Sequence, residues 1–219
     1  MSSNTFSARL RGAVLIDQMQ PQFAATVAAN SDGYFQVGGE SAFWVEVEPG
    51  IIVTSLLDLA LKSCDVTPGA LIAERSYGTL EVHGPDQGQV RRAGEVILRA
   101  IGSDGALGRG AGLAPEVLTH EIVRKVHSHQ AMLINRSRSG MLVLGDDTLY
   151  TLEVTPAVFA LAAANEAEKT APIRLIGLEN NGAVGRVRLA GTDAEIDQAV
   201  EAVTRTLDEY TAALKGGQG

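Results

Sequence analysis

The chain has 219 residues and a formal net charge of −8, with 45% hydrophobic, 20% charged and 5% aromatic positions. That length holds one large domain or two of about 110 residues, and the composition excludes intrinsic disorder. Acidity and few aromatic stacking platforms exclude nucleic acid as the expected partner.

Cys64, the single cysteine, permits no intrachain disulfide and closes no cysteine-based zinc site. No run of about 18 apolar residues is present to span a bilayer. The opening MSSNTFSARLRG leads into no signal-type stretch, so a cytosolic protein with no membrane contact is expected.

In chain order, Ala13–Ile16 reads as a short strand rich in aliphatic residues. Ala42–Val47 alternates as a second strand. Pro49 stands where a helix begins, a position proline tolerates because that N–H has no helical partner, and the helix runs to Lys62. Ala70–Ala73 and Thr79–Val82 read as strands flanking a turn, and Gln87–Ile101 as a second helix. GSDGALGRGAG (102–112) has linker composition. The spacing then predicts a helix over Ala114–His127, a strand at Ala131–Ile134 and an alternating strand at Leu149–Val154. Pro156 opens a helix to Lys169, followed by strands at Arg174–Leu178 and Arg186–Leu189. The last helix covers Asp193–Tyr210, with Thr192 and Glu195 forming a capping box.

The second series repeats the first. Glu46 and Glu153, Val47 and Val154, Pro49 and Pro156, Ala60 and Ala167, Lys62 and Lys169, and Gly84 and Gly191 are all 107 residues apart. Ala93 and Ala199, Glu95 and Glu201, and Arg99 and Arg205 are 106 apart. AVLIDQ (13–18) is set against AMLINR (131–136), which makes residues 19–40 carry eleven extra positions in the first copy. The expected plan is β-β-α-β-β-α twice, an α+β fold of an antiparallel sheet with helices on one side. The boundary is expected between residues 103 and 104.

VEVEPGIIVTSLLDLALKSCDV (45–66) and LIAERSYGTLEVHG (71–84) in one copy, with LEVTPAVFALAAANEAEKTAPI (152–173) and LIGLENNGAVGRVRLAG (175–191) in the other, resemble the tandem-domain shell proteins of bacterial microcompartments. A strand at the start of each copy matches the circularly permuted subgroup. The resemblance implies two ferredoxin-like shell domains, a homotrimer acting as a pseudo-hexameric tile, and edge-to-edge packing with other shell proteins. It also implies a central, possibly gated pore for small metabolites. Its pore turns fall on Glu74, Arg75, Ser76, Tyr77 and Gly78, and on Glu179, Asn180, Asn181 and Gly182. Lys62, Lys169 and Arg138 match the tile-edge positions. Stacking of two trimers is left open.

Other signals are weaker. His120, His127 and His129 have no carboxylate or cysteine cluster to complete a metal site. GRGAG (108–112) follows a helix and precedes no Lys-Ser/Thr, so it is no phosphate loop. Cys64 follows the long helix, away from both turns, and reads as a buried thiol rather than a cluster ligand. No nucleophile–base arrangement points to an enzyme, and no cofactor is expected. The rival reading is a metabolite-binding regulatory protein of duplicated α+β domains.

Overall fold

The computed structural model describes residues 6–103, 107 and 112–216. The first half runs β1 (Arg9–Ile16), α1 (Pro21–Ala28), β2 (Ser41–Glu48), a 3₁₀ turn at Gly50–Ile52, α2 (Val53–Ser63), β3 (Thr67–Glu74), β4 (Tyr77–Gly84) and α3 (Gln87–Ala100). The second runs β5 (Glu116–Val123), α4 (Ser128–Asn135), β6 (Thr148–Thr155), α5 (Phe159–Thr170), β7 (Arg174–Glu179), β8 (Gly185–Gly191) and α6 (Asp193–Gly216). Each half builds a four-stranded antiparallel sheet, in the orders β1-β2-β4-β3 and β5-β6-β8-β7.

Strand alternation decides which side chains meet which layer. In β4, Leu80 and Val82 join Val45, Val47, Leu56, Ala60, Val90 and Ile97 in a core under α2 and α3. Thr79, Glu81 and His83 are buried as well, on the opposite face of the strand. Asp86 starts α3 by accepting from the Gly88 and Gln89 N–H groups at 2.8 and 3.2 Å. The expected capping box starts α6: Thr192 N–H donates to Glu195 Oε2 at 2.7 Å, and Glu195 N–H to Thr192 Oγ1 at 3.4 Å.

Two expected elements are corrected. Ala131–Ile134 lies within α4, not in a strand, and the stretch expected as a helix over Ala114–His127 holds β5. The 107-residue offset therefore extends upstream, laying β1 on β5, α1 on α4 and β2 on β6. Residues 19–40 contain no insertion, because α1 and its loop are matched by α4 and its loop. Each copy is β-α-β-α-β-β-α. AMLI misled because a short apolar run has no period of its own. His127 just ahead is a helix cap, its Nδ1 accepting from His129 N–H at 3.2 Å. In β5, EVLTHEIV carries the β-branched residues of a strand but is exposed along nearly its whole length, so no buried face marked it. Pro49 and Pro156 follow cis bonds and stand about one turn ahead of their α-helices. The expected boundary falls beside residues outside those described. The end of the expected linker is pinned, with Gly112 bridged to Gly12 and Leu113 N–H donating to the Arg11 carbonyl at 2.7 Å.

The halves interlock through α1. Its N-cap residue, Gln20, offers no side-chain cap. The N–H groups of Gln22 and Phe23 instead donate to the Glu168 carboxylate of α5 at 2.8 and 2.7 Å. Gln20 N–H donates to Asn165 Oδ1 at 2.9 Å. Gln22 continues the join by donating to the Ile173 carbonyl and accepting from Leu175 N–H. Met19, Phe23 and Val27 share one buried cluster with Phe159, Ala163 and Leu175. Replacing Glu168 with Ala strips a carboxylate from a helix N-terminus and is expected to cost about 1–2 kcal/mol. Thermal unfolding checks this; an unchanged midpoint would show that the cap carries no weight.

Candidate functional site

The β3–β4 turn is an exposed polar end of the first sheet. Glu74 pairs with Tyr77 across it, and Arg75 takes a left-handed conformation at φ 51. Glu74, Arg75 and Ser76 are exposed, Tyr77 is half-buried and Gly78 is buried. The base of the turn is rigidly seated. Gly50 N–H donates to the Ser76 carbonyl at 3.0 Å, and a Cβ on Gly78 would lie 2.3 Å from the Gly50 carbonyl oxygen. Only glycine allows that backbone approach. The Arg11 guanidinium lies over the Tyr77 ring at 3.7 Å, a cation–π contact.

The β7–β8 turn differs in length and in partners. Glu179 still belongs to β7 and accepts from Arg186 Nη1 at 2.9 Å and Arg188 Nη2 at 3.2 Å. Arg186 also reaches Glu153, whose hydrogen bond helps hold the guanidinium pKa above its ordinary value. At the 107-residue offset, Glu74 aligns with Asn181 rather than Glu179, and Arg75 with Gly182, whose φ of 81 is also left-handed. The structure brings the two turns together: a Cβ on Gly182 would lie 3.1 Å from Glu74 Oε2. Among the described residues no ion pair joins Glu74 to Arg75.

The remaining predicted residues sit elsewhere. Lys62 and Lys169 occupy the last turns of α2 and α5. Both are exposed and bound to their own helices, Lys62 to Asp58 at 2.7 Å and Lys169 to Glu166 at 3.5 Å. Arg138 donates back to the Asn135 carbonyl beyond α4 at 2.9 Å. Cys64 is buried at the end of α2, and burial pushes its thiol pKa up.

Sequence reasoning passed over the buried ionic groups. Glu46, fully buried, accepts from Arg11 Nε at 2.5 Å and from Val158 N–H of the other half at 3.0 Å. Burial drives its carboxyl pKa up against those contacts. Glu81 meets His83 Nδ1 at 3.0 Å and accepts from Gln36 Nε2 at 2.8 Å. The alternation in LEVHG held the signal: two polar residues between aliphatic ones on a central strand must find buried partners.

With this geometry in hand, comparison defines the class. The family described as "CsoS1D N-terminal domain" matches residues 10–106. The fused permuted hexameric shell protein MSM0275 from the RMM microcompartment superposes with a TM-score of 0.87 at 36% identity, over 92% of this chain and 98% of that one. The double ringed trimeric shell protein MSM0271 from the same microcompartment gives 0.85 at 37%, over 92% and 96%. The fold is thus that of tandem, circularly permuted microcompartment shell proteins. Over 202 residues the chain is 39% identical to the carboxysome shell protein CcmP of Synechococcus elongatus, spanning 92% of this chain and 93% of that protein. It is 37% identical to the carboxysome shell protein CsoS1D of Prochlorococcus marinus, spanning 92% and 78%. The chain belongs to this family of carboxysome shell proteins.

The Glu81–His83 pair makes a pH prediction. Burial opposes the His83 imidazolium, yet the hydrogen bond and charge of Glu81, the charge of Glu40 and the Phe35 carbonyl together hold its pKa above 6.5. A histidine raised on folding contributes stability that is full below its unfolded pKa and is lost as pH rises through the folded value. Glu81 acts in the same direction, because burial raises its pKa above 4.5 and its ionisation works against folding. The unfolding midpoint is therefore expected to fall between about pH 6 and pH 8. His83→Gln should flatten that slope; a slope unchanged by H83Q would contradict the assignment.

Proposed function

We propose that this protein is a structural component of a bacterial microcompartment shell, three copies of which close into a pseudo-hexameric ring with a central opening for small metabolites. The observation that carries this is a seam used once and left open once. At the offset of 107, the α1/β1 surface that grips α5 corresponds to α4/β5, and the α5 surface it grips corresponds to α2. Both counterparts are bare: Leu133 on α4 is 60% exposed, Leu118 on β5 46%, Ile51 just ahead of α2 71% and Leu61 on α2 41%. A surface and its complement on opposite sides of one chain make a head-to-tail contact, which closes into a ring when the rotation permits. Two quasi-equivalent halves per chain make that ring three chains and six domains. The relatives named as a trimeric ring and as a permuted hexameric shell protein support the same count.

The detailed chemistry fits the exchange. Where α1 relies on Glu168, the position matching Glu168 on α2 is Leu61, and α4 supplies its own cap through His127. Asp58 stands where Asn165 does and can accept from His127 N–H of the next chain, as Asn165 accepts from Gln20.

In this ring Glu74, Arg75, Ser76, Tyr77 and Gly78 alternate with Glu179, Asn180, Asn181 and Gly182 around the axis. Glu74 and Arg75, free of each other within a chain, can pair across chains or turn away, which is the basis of a gate. Only the first-half turn carries this acid–base pair, so the gate is threefold. Lys62, Lys169 and Arg138 lie at the tile rim and face neighbouring shell proteins. Two matched apolar loops, with Tyr34, Phe35 and Val37 in one and Met141, Leu142 and Leu144 in the other, are exposed and offer a face on which a second ring can stack. The role is structural and permissive rather than catalytic, exercised in the shell of a microcompartment inside the cell.

Native mass spectrometry is expected to show three chains, or six if rings stack, and electron microscopy of concentrated protein hexagonal sheets. Monomers or dimers would sink the proposal. Replacing Glu74 and Arg75 together with Ala should leave that mass unchanged and alter the opening seen by microscopy. An identical opening would remove these residues from the gate.

A further inference from the structure

Arg11 is 6% exposed, yet its contacts extend to both turns of its chain. It owes that reach to a break in the register of β1, where Leu10 pairs with Val47 and Gly12 with Glu46. Arg11 is the extra residue of this bulge, and a bulge re-aims the side chain it carries. Buried as it is, the guanidinium needs partners for its charge and its N–H groups. Nε donates to Glu46 Oε1 at 2.5 Å, and Glu46 is held in turn by the Val158 amide at 3.0 Å.

From that fixed point two contacts run outward. One face of the guanidinium covers the ring of Tyr77, the residue that closes the β3–β4 turn, 3.7 Å from its centroid. Nη2 donates at 3.4 Å to Thr155 Oγ1, which itself donates to the Ala183 carbonyl in the β7–β8 turn at 3.2 Å. A hydroxyl that accepts from a cation becomes a stronger donor, so the links from Arg11 to Ala183 reinforce each other. The turns are thus tied below their apices, where Gly182 already lies against Glu74.

We propose that Arg11 is a positioning residue that couples the two pore turns of one chain, so that the turns around the axis change conformation in pairs. The tie is confined to the inner seam. At the 107-residue offset β5 keeps the bulge, between Val117 and Thr119, but the residue it carries is Leu118, 46% exposed and without a polar side chain. Val184 stands where Tyr77 does, and Glu48 where Thr155 does. The seam between chains therefore has neither the cation, the ring nor the hydroxyl. Lysine would not serve at position 11, because a compact ammonium cannot lie flat on a ring and donate sideways at once. What the coupling is used for rests on the gate proposed above; the coupling itself lies within one chain.

Millisecond hydrogen exchange of the assembled protein, followed in peptides spanning 74–78 and 180–185, tests this. Tyr77→Leu removes the ring but leaves the Arg11–Glu46 pair, and is expected to speed exchange at 180–185 about threefold or more. Tyr77→Phe keeps a ring face and should retain the wild-type rate. Thr155→Val cuts the second link. In that background Y77L should change exchange at 74–78 alone, as a double-mutant cycle requires of one shared path. A far turn untouched by Y77L would reduce Arg11 to a partner for Glu46. An equal response with and without Thr155 would move the path to the Glu74–Gly182 contact. Either result overturns the proposal and leaves the gate standing, whereas an opening unchanged by the joint replacement of Glu74 and Arg75 removes the gate and leaves the coupling.

Discussion

A helix that cannot satisfy its own first amides organises this molecule. The N-terminus of α1 presents unpaired N–H groups and a partial positive charge, and its preceding residue, Gln20, provides no cap. Glu168 and Asn165, from a helix nearly 150 residues later, accept those hydrogen bonds. The demand is local and its solution lies in the other half, so the two sheets are held in one relative orientation. Glu46 repeats the logic one layer deeper, taking Arg11 from β1 and the Val158 amide from the second half. A buried ion pair of this kind is weak evidence of net stability, but it sets geometry, because any other arrangement leaves a carboxylate buried and unpaired.

Duplication then creates a surface with no counterpart inside the chain. The copy of the gripping surface, α4 with β5, has nothing to grip, and the copy of the gripped surface, α2, has nothing upon it. The changes between copies follow that division. Phe23 becomes Gln130 and Glu168 is matched by Leu61, so the outer seam is a variant of the inner one rather than a duplicate. Divergence of this kind stops halves of different chains from exchanging freely and favours a single register around a ring. It also leaves the acid–base pair of the turn, Glu74 with Arg75, on one half only.

Much of this architecture was legible in the sequence. Glu46/Glu153, Pro49/Pro156 and Lys62/Lys169 announced the repeat, and the second strand, third and fourth strands and both long helices of each copy followed from ordinary periodicity. The misreading fell on α1, which went unread within residues 19–40, and on its surroundings in the second copy, where β5 and α4 were taken for a helix and a strand. β5 shows strand propensity without a buried face, and α4 is a short helix with few buried positions, so neither displays the periodicity that burial writes into a sequence. A turn between the third and fourth strands of each copy was legible, but not that the second is the longer, which sets Glu74 against Asn181 rather than Glu179. Glu81, His83 and Gln36 went unseen as a unit because Gln36 lies 45 residues from Glu81, and only the sheet brings them together.

The central claim is that the seam between chains repeats the seam within one. A structure of the assembled ring at side-chain resolution tests it at one contact. The account predicts the Asp58 carboxylate of one chain within hydrogen-bonding distance of the His127 amide of the next, in the place that Asn165 and Gln20 occupy within a chain. A ring in which α4 faces solvent, or meets any surface other than α2, would contradict it.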